Sequence, residues 1–277
     1  MAEAVTGGSG LRFEMDGEIA TVTLNRPEKR NAQTFATWSA LARIGEDLPE
    51  QVRVVVVRGE GPSFSSGLDL GMFAPEPEPP AQHPEPAQHR GTERVPGTDS
   101  FAAAAARGDA ELRRLIAEAQ RGFLWLRRPD IVSIAAVQGH AIGAGFQLAL
   151  ACDLRIVADD VMFCMKEPAL GLVPDLTGTK PLVDIVGVPR AIEICLTARV
   201  VGAAEALRLG LAELAVPPDE LGRAVRDLTA ALLAVNREAA TATKRLLQGA
   251  PQRTLEEQAA AERAEQAARI RSLFAGS

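Results

Sequence analysis

Cysteine is scarce in this 277-residue chain, and what there is cannot be paired off. Cys152, Cys164 and Cys195 are an odd number without CxxC spacing, each in an apolar stretch. Neither a disulfide framework nor a zinc site is expected, and the usage reads as that of a reducing cytoplasm. Long apolar runs are missing too, since no stretch approaches the ~18 residues of a membrane span. The opening MAEAVTGGSG has neither the basic nor the apolar region of an export signal. Positive charge is in deficit: the formal charge of -6 argues against a general affinity for nucleic acid or acidic membrane surfaces, while leaving room for a local basic patch on an anionic ligand. The expectation is a soluble cytoplasmic protein with neither nucleic acid nor membrane as a partner.

Several enzyme signatures are absent. GHAIGAGFQLAL carries Gly143 and Gly145 but not the third glycine of a dinucleotide fingerprint, and no Walker or nucleophile-elbow pattern occurs. His140 has no Ser or Cys nucleophile nearby in the sequence and reads as a structural turn residue. His83 and His89, six residues apart, fall in the Pro- and Glu-rich stretch that follows Ala74 and read as loop histidines.

What is present points to an α/β fold. Hydrophobic residues make up 47% of the chain, enough for one large domain or two smaller ones. Leu11 to Leu24 alternates on either side of Asp16-Gly17, which predicts a β-hairpin. A helical pattern follows from Phe35 to Leu48, and VRVVVVR at Val52 to Arg58 predicts a strand buried on both faces. Residues 74–100 cannot bury enough apolar surface to hold one packed conformation and are expected as a mobile loop. One Ala-rich helix is expected from Phe101 to Arg127, a second buried strand at Ile131 to Val137, a helix at Gly143 to Ala151, and strands at Asp153 to Ala158 and Val161 to Phe163. Beyond Gly171 the pattern is helical with short connections, and the last helix carries a one-sided stripe ending at Ile270 and Phe274.

The chemistry is concentrated in Ile131 to Pro174. The turns at Gly67 and Gly143 each follow a buried strand, so the N–H groups of Leu68 and Ala144 can be aimed at one oxygen, with a helix start adding its positive end. That is the construction of an oxyanion hole, in which each donor is worth on the order of 3 kcal/mol as charge develops. Glu167 is a lone carboxylate in apolar surroundings, read either as an acid/base or as part of a Lys-Glu-Pro surface turn.

Four ordered blocks resemble the crotonase (enoyl-CoA hydratase/isomerase) superfamily: LNRPEKRNA at Leu24 to Ala32, FSSGLDL at Phe64 to Leu70, IAAVQGHAIGAGFQLALACDLRIVA at Ile134 to Ala158, and FCMKEPALGLVPD at Phe163 to Asp175. The resemblance implies a ββα spiral core over residues 11–200 and a C-terminal helical trimerisation region over 201–277. It further implies a homotrimer or hexamer, an acyl-CoA thioester as substrate, and no resident cofactor or metal. Leu68 and Ala144 match the oxyanion donors, Glu167 matches an acid/base, and Arg26, Lys29, Arg30 and Ala32 fall in the block that borders the CoA nucleotide. The family's hydratases use two glutamates, and the first of these positions is Gln147, which cannot take up a proton at neutral pH. Double-bond isomerisation needs only one base and is therefore favoured over hydration with Gln147 holding the water, or over non-catalytic acyl-CoA binding. Asp175 falls where dienoyl-CoA isomerases of the family place an acid, and after Pro174 it also reads as a helix cap or turn residue.

Overall fold

The alternation around Asp16-Gly17 folds into an antiparallel pair, β1 (Leu11–Asp16) and β2 (Ile19–Leu24), with Leu11 opposite Leu24 and Gly17 at φ +57° in the turn. The computed structural model describes residues 8–73 and 101–274. The expected loop at 74–100, with His83 and His89, lies outside the described residues.

From there the chain forms α1 (Phe35–Glu46), β3 (Val54–Gly59), α2 (Phe101–Ala106), α3 (Asp109–Leu124), β4 (Val132–Val137), β5 (His140–Ile142) and α4 (Ala144–Ala151). It continues through β6 (Leu154–Ala158), β7 (Met162–Cys164), α5 (Thr179–Val186), α6 (Val188–Thr197), β8 (Val201–Gly202) and α7 (Ala203–Leu209). The last elements are β9 (Leu214–Val216), α8 (Leu221–Leu233), α9 (Arg237–Gly249) and α10 (Leu255–Phe274).

Six strands make the main sheet in the order β1-β2-β3-β4-β6-β9, parallel except at β1. The apolar run in β3 is explained by burial on both faces. Val55, Val57, Ala135, Val137 and Val157 enter one core with α1 and α4, whereas Val54, Val56, Ile134 and Ile156 enter a second with Leu221, Ala224 and Val225 of α8.

After each of several main strands the chain adds a shorter layer. β4 is followed by β5 and then α4, β6 is followed by β7, and the loop after β3 adds Ser65, bridged to Ala141. β5 pairs with β7 and β7 with β8 in a small second sheet. Repeated strand, short strand and helix give the α/β architecture its stepped form, and the candidate site lies along the short layer.

Three expectations need correction. The single helix expected from Phe101 is broken at Gly108, whose φ of +95° no other residue type adopts easily, giving α2 and α3. His140 stands in β5 rather than in a turn, with Nδ1 3.1 Å from Ser63 Oγ. The stretches holding β8 and β9, read as plain connections between helices, are two- and three-residue strands too short for any alternation to show.

Besides the packing of α8, one amine on α9 ties the C-terminal helices to the sheet. Lys244 Nζ on α9 donates to the carbonyls of Arg128 and Ile131, both at 2.7 Å, and to Asp153 Oδ2 at 2.6 Å. Burial pushes the Lys244 amine below its ordinary range and the Asp153 charge opposes that shift. On α10 no residue is buried, and Ile270, Leu273 and Phe274 are exposed. No helix among the described residues is long and apolar enough to cross a membrane.

Candidate active site

Two backbone turns meet because Ser65 stitches one to the other. Its N–H donates to the His140 carbonyl at 2.8 Å, and its carbonyl accepts from Ile142 N–H at 3.0 Å, so the loop after β3 runs beside β5 and delivers Leu68 next to Ala144 at the start of α4. The approach is too close for side chains. A Cβ on Gly67, which has φ +92°, would lie 2.6 Å from the Ile142 carbonyl oxygen, and one on Gly145 would lie 2.6 Å from that of Ser65. Neither the Leu68 nor the Ala144 N–H donates to a backbone acceptor among the described residues.

Leu68 is held from the other side by Gln33, which the sequence reading passed over. Gln33 N–H donates to the Gly67 carbonyl at 2.7 Å and its carbonyl accepts from Asp69 N–H at 2.8 Å. Its buried amide donates to Ser65 Oγ at 3.1 Å and accepts from Trp38 Nε1 at 2.9 Å, while Ser65 Oγ donates to the Asn31 carbonyl at 2.8 Å. A closed polar network of this kind has one low-energy arrangement, which is what a fixed donor pair requires.

The acid side is built from side chains. Glu167 opens a short 3-10 turn, Glu167–Leu170, that ends at Gly171 with φ +74°. The carboxyl is buried. Oε1 accepts from Gln147 Nε2 at 2.7 Å, and Oε2 has no hydrogen-bond partner among the described residues. A Cβ on Gly143 would stand 3.0 Å from Oε1, so the glycine at the foot of α4 makes room for the carboxylate as well as for the turn. Burial pushes the Glu167 carboxyl above its usual range; backbone N–H groups and Gln147 act against the shift, and the Asp175 charge adds to it. Asp175 is itself pushed up by burial. It does not cap α5, whose N-cap is Gly178, and its backbone carbonyl is pinned by Gln120 Nε2 at 2.7 Å.

Two cavities open at these groups and share Leu68, Ala144, Glu167 and Leu172. One, of about 310 Å³, is apolar, walled by Trp38, Phe73, Phe101 and Ile116, with Asp175 as its second acid. The other, of about 450 Å³, is lined by Lys29, Ala32 and Lys166. Lys166 was not singled out from the sequence, although it adjoins Glu167. Gln147 lines neither cavity; it stands fully buried behind Glu167. Arg26 lines neither cavity. Its guanidinium reaches Asp69 Oδ2 and the Ala32 carbonyl, both at 2.9 Å, and so shapes the loop instead of lining the cavity. Burial opposes ionisation of Asp69, but the Gly71 N–H and Arg26 outweigh it and hold the carboxyl below its usual range. Arg30 is exposed at φ +48°, with its carbonyl accepting from Ser66 N–H, and lines neither cavity.

Comparison with known proteins adds to this geometry. The family profile described as Enoyl-CoA hydratase/isomerase matches residues 97–272. A Mycobacterium bovis protein named as an enoyl-CoA hydratase is 35% identical over 237 residues, 83% of this chain and 73% of its own. The mitochondrial Delta(3,5)-Delta(2,4)-dienoyl-CoA isomerase of Mus musculus is 35% identical over 196 residues, 70% of this chain and 54% of its own. Among solved structures, a Thermobifida fusca YX protein named as an enoyl-CoA hydratase, in complex with acetoacetyl-CoA, is 55% identical with a TM-score of 0.85, covering 95% of this chain and 96% of that one. With a profile match over more than half its length and relatives of both names over more than two thirds of it, the chain belongs to the enoyl-CoA hydratase/isomerase family and is an enzyme of the crotonase superfamily.

Proposed function

We propose that this enzyme moves the double bond of an enoyl-CoA thioester, with Glu167 as its general acid/base. The observation that carries the reading is Glu167 Oε2, a buried oxygen without a hydrogen-bond partner among the described residues, on the wall that both cavities share with Leu68 and Ala144. The thioester oxygen sits between the two N–H donors. Glu167 removes a proton from C2, the electron pair moves onto the thioester oxygen, and the enolate is held there by the two donors. Electrons then return through the conjugated system as a proton is delivered at C4 of a 3-enoyl thioester, or at C6 of a 3,5-dienoyl one, from Glu167 or from Asp175 across the apolar cavity. Proton transfer by a placed carboxyl is worth roughly 10²- to 10⁴-fold.

The acyl chain suits the apolar cavity, and Lys29 with Lys166 suits the phosphates of coenzyme A at the other. Exposed Val188, Ile192 and Leu196 on α6 support assembly as a homotrimer or hexamer. Hydration is the second reading, favoured by the names of the Mycobacterium bovis and Thermobifida fusca relatives. Against it, Gln147 offers no proton and lies outside both cavities.

Separate incubations with 3-enoyl-CoA, 3,5-dienoyl-CoA and 2-enoyl-CoA, with product analysis, test the proposal. Double-bond migration in either of the first two is expected. A 3-hydroxyacyl-CoA as the main product from 2-enoyl-CoA would overturn it in favour of hydration, and tight binding with no turnover of any substrate would overturn it in favour of a binder.

A further inference from the structure

Gln147 has all the contacts of a built part and moves no proton in the proposed reaction. Its Oε1 accepts from Leu176 N–H at 2.8 Å and Gly178 N–H at 3.2 Å, and its Nε2 donates to Glu167 Oε1 at 2.7 Å. Two backbone donors on the oxygen fix which way the amide points, because a flipped amide would set N–H against N–H and oxygen against carboxylate. Only a donor therefore faces Glu167. The close approach is designed into the backbone, since a Cβ on Gly178 would stand 2.6 Å from Gln147 Cγ. Leu176 and Gly178 belong to the segment directly after Asp175. One side chain on α4 thus ties the carboxylate after β7 to the loop that bears the second acid.

We propose that Gln147 is a positioning residue: it grips Glu167 by one oxygen, aims the other into the cavity, and sets where Asp175 stands relative to it. The inference rests on the reading of Glu167 as the base. A neutral donor at this place favours the ionised carboxylate and adds no proton of its own. The other charged or titratable groups near Glu167 are Asp175, the neighbouring Lys166, Cys164 of β7 and Cys195 of α6. Burial pushes both thiols up and the Glu167 charge adds to this, so they stay neutral. Asp175 is then the acidic neighbour against which Gln147 works.

Two variants separate the two ties. Gln147→Met removes both, whereas Gln147→Glu keeps an oxygen for Leu176 and Gly178 but sets a second carboxyl against Glu167 Oε1. The readout is the Glu167 carboxyl titration followed by ¹³C NMR in the whole enzyme, beside kcat, KM and the pH profile. In Gln147→Met the titration is expected to move up by about one pH unit, with kcat down roughly 10- to 100-fold and KM within about threefold. In Gln147→Glu the pair is expected to share a proton and titrate in two separated steps, with melting temperature near the parent's. An unmoved Glu167 titration in both variants overturns the proposal. Parent-like turnover in Glu167→Gln would instead sink the reading of Glu167 as the base, and the titration would still decide what Gln147 does.

Discussion

In the proposed site the donor side is made of backbone and the acid side of side chains, and the two are secured in different ways. Leu68 and Ala144 offer N–H groups whose positions follow from Gly67, Gly145 and the Gln33-Ser65 network, so their own side chains matter little to the donors. Glu167, Gln147 and Asp175 contribute side-chain atoms, and a change of one atom type there changes the chemistry. The donor side is therefore expected to tolerate substitution at the residues that donate and to fail at the glycines around them. The acid side is expected to behave in the opposite way.

Glu167→Gln should break the acid side most severely, lowering kcat about 10³-fold with KM within a few-fold, measured as turnover in the proposed isomerisation. Gly67→Ala is the matching blow to the donor side. The new Cβ meets the Ile142 carbonyl at 2.6 Å in a backbone conformation that alanine resists, so the Leu68 donor moves and kcat should fall roughly 10²- to 10³-fold while the fold persists by circular dichroism. Asp175→Asn is milder and has a sign. Because the Asp175 charge raises the Glu167 carboxyl, its removal should move the acid limb of kcat/KM to lower pH, with turnover down about tenfold if Asp175 shares the proton transfer. The parent's own limb should lie above the ordinary glutamate range of ~4.3, activity being lost as pH falls through the raised value. Leu68→Ala keeps its N–H and should change kcat by less than about threefold; a fall as large as that for Gly67→Ala would erase the contrast between the two sides.

Much of this was legible because it is local. Asp16-Gly17, the doubly buried Val54 to Val57 and the glycines at 67 and 143 declare turns and strands through φ preference and periodicity. Glu167 stood out as a charge in apolar sequence. The partners of buried polar groups were not legible, because they come from far along the chain: Gln33 meets Ser65 across 32 positions and Gln147 meets Leu176 across 29. The partner of Arg26 was hidden for the same reason, since a cation-rich block says nothing of Asp69, which lies 43 positions away. Gly108 was visible but sat within an alanine-rich run whose helical signal hid the break.

The amine of Lys244 has a consequence for how the molecule comes apart. It neutralises a carboxylate and occupies two carbonyls at the edge where β4 and β6 begin, so withdrawing α9 would leave Asp153 without its counter-ion inside the protein. Opening the helices would therefore weaken this edge of the sheet as well. The C-terminal helices are in this way tied through one charge to the start of the strands that lead to the two turns.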